Sequence, residues 1–80
     1  MKNVYIIADI FDLDENCDLG EVSGHSIAQL AIELDGALGI VIPKICIAAL
    51  RKLRAGESIE KSFKLPDDRK YRVTFSKVIA

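Results

Sequence analysis

The stretch IPKICIAALRKLRAG, Ile42 to Gly56, carries the best-marked element of the chain. Pro43 sits where a first helical turn tolerates proline, and Gly56 stands where a helix commonly stops. Ile42, Cys46, Ala49, Leu50 and Leu53 fall at helical spacing and form one apolar stripe. Lys44, Arg51, Lys52 and Arg54 lie off it, three of them near the carboxyl end, where cations suit the helix dipole. Such a helix anchors a core with one face and offers a basic face to a partner.

Upstream of it, Ser26-Ile27-Ala28-Gln29 has the capping-box pattern, with Ser at the N-cap and Gln three residues on. The helix it opens carries Ile27, Leu30, Ala31 and Leu34 on one face, and ends at Asp35-Gly36 or runs through Leu38 to Gly39. Downstream, residues 58–78 read as a hairpin. Ile59, Lys61, Phe63 and Leu65 alternate with polar positions, as do Tyr71, Val73 and Phe75, around a Pro66-Asp67-Asp68-Arg69 turn. For the two apolar sets to share a face, paired residue numbers must sum to an even value. That selects Phe63 opposite Tyr71 or Val73, and a loop of odd length.

The outermost segments complete the layout. Residues 2–13 read as a strand apolar on both sides, with Val4, Ile6, Ala8 and Ile10 on one face. Tyr5, Ile7 and Phe11 lie on the other, interrupted by Asp9. Residues 12–23, DLDENCDLGEVS, read as an acidic loop. Asp12, Asp14 and Asn16 match the start of a calcium loop, but Cys17 replaces the required Gly and Ser23 the bidentate Glu, so no metal is expected. The order is therefore β-α-α-β-β. The expected fold is α+β, a three-stranded antiparallel sheet with two helices on one face, the first strand pairing with the last. The 80 residues read as a single domain, 1–80.

Composition narrows the function classes. No apolar run approaches the roughly twenty residues of a membrane span. The amino-terminal MKNVYIIADIFD lacks the long apolar region of a signal peptide, and a cytoplasmic protein is expected. Cys17 and Cys46 suit a reducing compartment. The single histidine, His25, adjoins Ser23 and Ser26 without the strained elbow of a nucleophilic serine. No phosphate loop, triad or cofactor motif is present, so an enzyme is not expected.

Net charge of −1 conceals a split: residues 1–40 hold one Lys against eight acids, residues 41–80 ten bases against four acids. Two readings follow. The first is a non-enzymatic protein-binding domain, a regulator or inhibitor. Its apolar sheet face, with Tyr5, Ile7, Phe11 and the rim residue Arg72, is covered by another protein or by a second copy as a homodimer. The alternative is nucleic-acid binding in a winged-helix-like arrangement. It would use Lys44, Arg51 and Arg54 on the helix and Lys64, Arg69, Lys70 and Arg72 on the hairpin.

Overall fold

A computed structural model describes residues 4–79. Six elements follow one another: β1 (Val4–Asp12), β2 (Cys17–Gly24), α1 (Ile27–Leu38), α2 (Lys44–Lys52), β3 (Ser58–Lys64) and β4 (Lys70–Ile79). The sheet has four antiparallel strands in the order β2-β1-β4-β3, and the chain order is β-β-α-α-β-β. This corrects the three-stranded β-α-α-β-β expectation. The Lys2 start expected for the first strand lies outside the described residues.

The difference lies in residues 12–23, which form a tight turn and an edge strand rather than an acidic loop. Asp12 Oδ1 accepts hydrogen bonds from the backbone N–H groups of Asp14 (2.9 Å) and Glu15 (3.1 Å). Asn16 follows at a left-handed φ of 53°. The chain is thereby folded back onto β1, pairing Ile6 with Gly24, Ala8 with Val22 and Phe11 with Asp18. Leu19 is the extra residue of a bulge in this ladder. The strand has two glycines and two acids among eight residues, so its propensity is poor. Pairing with β1 supplies what propensity lacks, and charges on an edge strand guard it against further pairing.

The remaining pairings follow the apolar alternation. Phe63 lies opposite Tyr71, one of the two expected registers, and Leu65–Arg69 close the hairpin. β1 pairs with β4 along its whole length, with Ala8 opposite Phe75 and Ile10 opposite Val73. Both strands therefore present one continuous apolar surface to the helices. Ile6, Ala8, Ile10, Tyr71, Val73 and Phe75 meet Leu30 and Leu34 of α1 and Cys46 and Leu50 of α2, all buried. Ile40, Ile42 and Leu53 close the core at the helix ends.

Helix ends are satisfied locally. Ser26 Oγ accepts from Gln29 N at 3.1 Å, and Gln29 Oε1 accepts from His25 N at 2.8 Å. α1 runs through Gly36 to Leu38 and closes on Gly39, at φ 70°, whose N–H donates to Asp35 O. α2 is the shorter helix, with Pro43 at its N-cap and Leu53 at its C-cap. At Gly24 the sheet runs close against the start of α1. A Cβ there would lie 2.8 Å from Leu30 N and 3.2 Å from the Gln29 carbonyl carbon. Only glycine lets β2 run this close beneath the start of α1.

Candidate functional site

The alternation of β1 and β4 that builds the core also builds a second surface on the opposite side of the sheet. Tyr5, Ile7, Asp9 and Phe11 of β1 stand beside Val78, Ser76, Thr74 and Arg72 of β4. Ser23, Glu21 and Asp18 of β2 flank them on one side, and Ser58, Glu60 and Ser62 of β3 on the other. Tyr5, Ile7, Phe11 and Arg72 are thus on one face, away from the helices.

They are half-buried rather than bare, because the chain dresses its own apolar strip. The Arg72 guanidinium lies over the Phe11 ring, 4.7 Å from its centroid, with its Nε 3.9 Å from Glu60 Oε1. The His25 ring lies against Tyr5, tilted by 44° at a centroid distance of 4.4 Å. Asp9 interrupts the strip. Desolvation, with the Asp18 carboxylate beside it, holds its carboxyl above the ordinary carboxylate value. Acidic groups therefore lie toward β2 and basic ones toward β4.

A second surface lies on the helix side. Ile32 of α1, Val41 of the connection and Ile45 of α2 are 71%, 75% and 81% exposed. Ile32, Val41, Ala31, Asp35 and Ile42 line a cleft of about 240 Å³. Val41 also lines a neighbouring cleft of about 230 Å³ that reaches Phe63, Leu65 and Pro66. This ridge is absent from the candidate residues drawn from the sequence. Its signal was present: Ile32 and Ile45 are apolar positions outside the stripes that seat α1 and α2.

The basic candidates do not share a surface. Arg69 Nε donates to Asp67 Oδ2 at 2.6 Å, and Arg69 Nη1 to the Tyr71 hydroxyl at 3.2 Å. The Asp67 carboxylate, by its hydrogen bond and its charge, holds the Arg69 guanidinium above its ordinary value. Desolvation opposes the effect on Asp67, but hydrogen bonds from the Arg69 backbone and side chain prevail and lower its carboxyl. Lys64 lies 3.4 Å from Asp68 in the same turn. Lys70 donates its backbone N–H to Asp14 Oδ2 at 2.9 Å, tying the two turns together. Lys44 and Arg51 belong to α2 and Arg54 follows it, whereas Arg72 lies on the face opposite the helices. The β3–β4 hairpin is half of the main sheet rather than a projecting wing.

Chemistry-bearing side chains are scattered. Asp12 and Asp14, the first of the calcium-like residues, accept backbone hydrogen bonds within the turns. Among the described residues no group of three His, Cys, Asp or Glu could hold a metal ion. Cys17 is exposed, and Cys46 is a core residue whose thiol is pushed up by burial, with the Lys61 charge opposing. Among the described residues no helix is long and apolar enough to cross a membrane. No family model, curated protein or solved structure matches the chain.

Proposed function

We propose that this chain is a non-enzymatic protein-binding domain, a small regulator or inhibitor that acts by occupying a macromolecular partner. The observation that carries this reading is the exposure of Ile32, Val41 and Ile45, each more than 70% exposed, with Ile32 and Val41 lining one cleft. Burying a side chain of this size contributes about 1.5–3 kcal/mol, and such side chains are typical central anchors of an interface. The flanking clefts are shallow and largely apolar, suited to side chains of another protein rather than to a small substrate. Asp35 at the edge of one cleft offers a seat for a cationic group of the partner. Unpaired cysteines accord with a reducing, cytoplasmic setting.

The test is retention from nuclease-treated host extract on immobilised chain. The wild type is expected to hold a defined protein that the double variant Ile32→Lys/Ile45→Lys releases. Retention that nuclease abolishes would instead favour the nucleic-acid alternative, through Lys44, Arg51, Arg54 and Lys70, which make no ion pair among the described residues. No retention beyond that of the ridge variant would sink the protein-binding reading of this surface.

A further inference from the structure

The sheet ends in two edge strands of different character. β2 carries two glycines, two acids and a bulge, features that discourage further pairing. β3 has no glycine or proline, and it pairs with β4 without a register shift. Leu65 N donates to Arg69 O at 2.8 Å and Lys77 N to Glu57 O at 3.1 Å, one bond at each end of the β3–β4 ladder. Both pairs continue the register of the strands between them, and hydrogen-bonded pairs recur at every second residue of an antiparallel ladder. Ile59, Lys61 and Phe63 therefore bond to β4. The N–H and C=O groups of Ser58, Glu60, Ser62 and Lys64 point away from it and take no partner among the described residues.

We propose that β3 joins edge to edge with β3 of a second copy in a two-fold homodimer, Ser62 opposite Ser62, so that the two sheets become one. Charge selects this register from the few that are open. An antiparallel two-fold pair that engages the outward groups must have an even sum of facing residue numbers. Centring it on Glu60 or on Lys61 sets that residue directly against its own copy, and like charges so placed are destabilising. Centring it on Phe63 faces Glu60 with Pro66, which has no N–H to give. Centring it on Ser62 sets Glu60 opposite Lys64 at both ends of the contact, with about six main-chain hydrogen bonds across it. No like charges then lie directly opposite.

Both faces of the joined sheet agree with this register. On the helix side it sets Ile59 opposite Leu65, beside the cleft of about 230 Å³ that Val41, Phe63, Leu65 and Pro66 line. Lys61, which points to that side, is the kind of residue that guards an edge strand. Here it meets the Phe63 ring rather than another lysine, and the two copies of Lys61 are only diagonal neighbours, about 7–8 Å apart. On the open face Lys64 lies opposite Lys70, and Glu60 of the second copy relieves that like-charge pair. The contact is one strand deep, so it is a weak, reversible one held by main-chain bonds more than by area. Ile32 and Ile45 take no part in it, and it is read on the purified chain alone, so it stands or falls apart from the function proposed above.

Sedimentation of the wild type, Glu60→Lys, Lys64→Glu, an equimolar mixture of those two variants, and Ser62→Pro tests it. The wild type should be mainly dimeric at about 500 µM, and each charge variant alone should dissociate at least about tenfold more easily, since each sets like charges opposite twice. Mixing should restore association to within about threefold of wild type, because both contacts are then opposite in charge again. The restored association itself shows that both variants are folded. Ser62→Pro removes an outward N–H without touching a bond to β4, so it should keep a cooperative melting curve and sediment as a monomer. A wild type that remains monomeric overturns the homodimer. So does a folded Ser62→Pro protein that dimerises like the wild type, and a mixture without rescue overturns the pairing of Glu60 with Lys64.

Discussion

The molecule has two apolar surfaces, one on each side of its layers, and it treats them differently. On the sheet side, Phe11 is capped by Arg72 and Tyr5 by His25, and the strip between them is half-buried. On the helix side, Ile32, Val41 and Ile45 have no such cover and remain more than 70% exposed. A side chain capped by a neighbouring cation or ring loses less when alone and gains less when covered. The dressed face is therefore the weaker anchor of the two. The bare ridge suits a partner that brings its own apolar surface.

The largest test of that difference replaces the bare residues. Ile32→Lys/Ile45→Lys should weaken partner retention by at least about 100-fold, the loss of about 3 kcal/mol common for central anchors. Its melting temperature should change little, because neither side chain belongs to the core. Ile7→Lys should leave retention intact. Equal losses from both variants, measured as dissociation constants for the retained protein, would erase the distinction between the surfaces.

Next in size is a change at the brace joining the two sides. β2 carries the acidic column of the sheet face and α1 carries Ile32, and they meet where Gly24 runs under Leu30 N. Gly24→Ala would force α1 away from the sheet, at about 1–3 kcal/mol. In a domain of this size that lowers the melting temperature by roughly 4–8 °C per kcal/mol. A variant that melts with the wild type would mean that the helix yields without strain.

The sequence showed the parts of the fold that repeat a pattern. The alternation in residues 58–78 selected the even register, and Phe63 lies opposite Tyr71. The double-sided strand read over 2–13 announced both a core face and an open face, and β1 within it pairs with β4 as expected. Residues 12–23 did not announce β2, because an edge strand supported from one side needs few apolar residues. Of its eight, only Val22 is partly buried against the core as a large apolar side chain. Tyr5, Ile7, Phe11 and Arg72 lie on one face of the sheet, but the caps on Phe11 and Tyr5 arise between strands and between β1 and the start of α1. Spacing within one segment cannot show such contacts. Ile32 and Ile45 lie off the helical stripes, and spacing within a helix does not tell which off-stripe apolar residues stay exposed.

A smaller effect probes the cap on the dressed face. Arg72→Ala removes the guanidinium from Phe11, a contact of about 0.5–1 kcal/mol at an exposed site. Arg72→Lys keeps the charge but loses the planar stacking, and should recover only part of the stability. Chemical denaturation of the three proteins measures this. Full recovery by lysine would show that charge alone, toward Glu60 and its surroundings, accounts for the contribution of Arg72.

The smallest change concerns Asp9, the one carboxylate within the apolar strip. Desolvation and the neighbouring Asp18 raise its folded value above the ordinary 3.8. Glu21 lies opposite it on β2 and Thr74 on β4, so its immediate cross-strand neighbours bring no cation. A carboxyl whose folded value is raised binds its proton more readily in the folded than in the unfolded state. Its ionisation therefore reduces stability as pH rises from the ordinary value through the raised one, and the full cost is present at pH 7. Asp9→Asn removes that cost without changing the shape of the side chain. The variant should melt slightly above the wild type at pH 7, and the difference should vanish below the ordinary value of 3.8, where the wild-type carboxyl is protonated in both states. Taking the difference between the two proteins at each pH cancels every other titrating group. A stability difference of the same size at both pH values would show that Asp9 is fully solvated on its strand, and that the strip is less apolar than its neighbours make it.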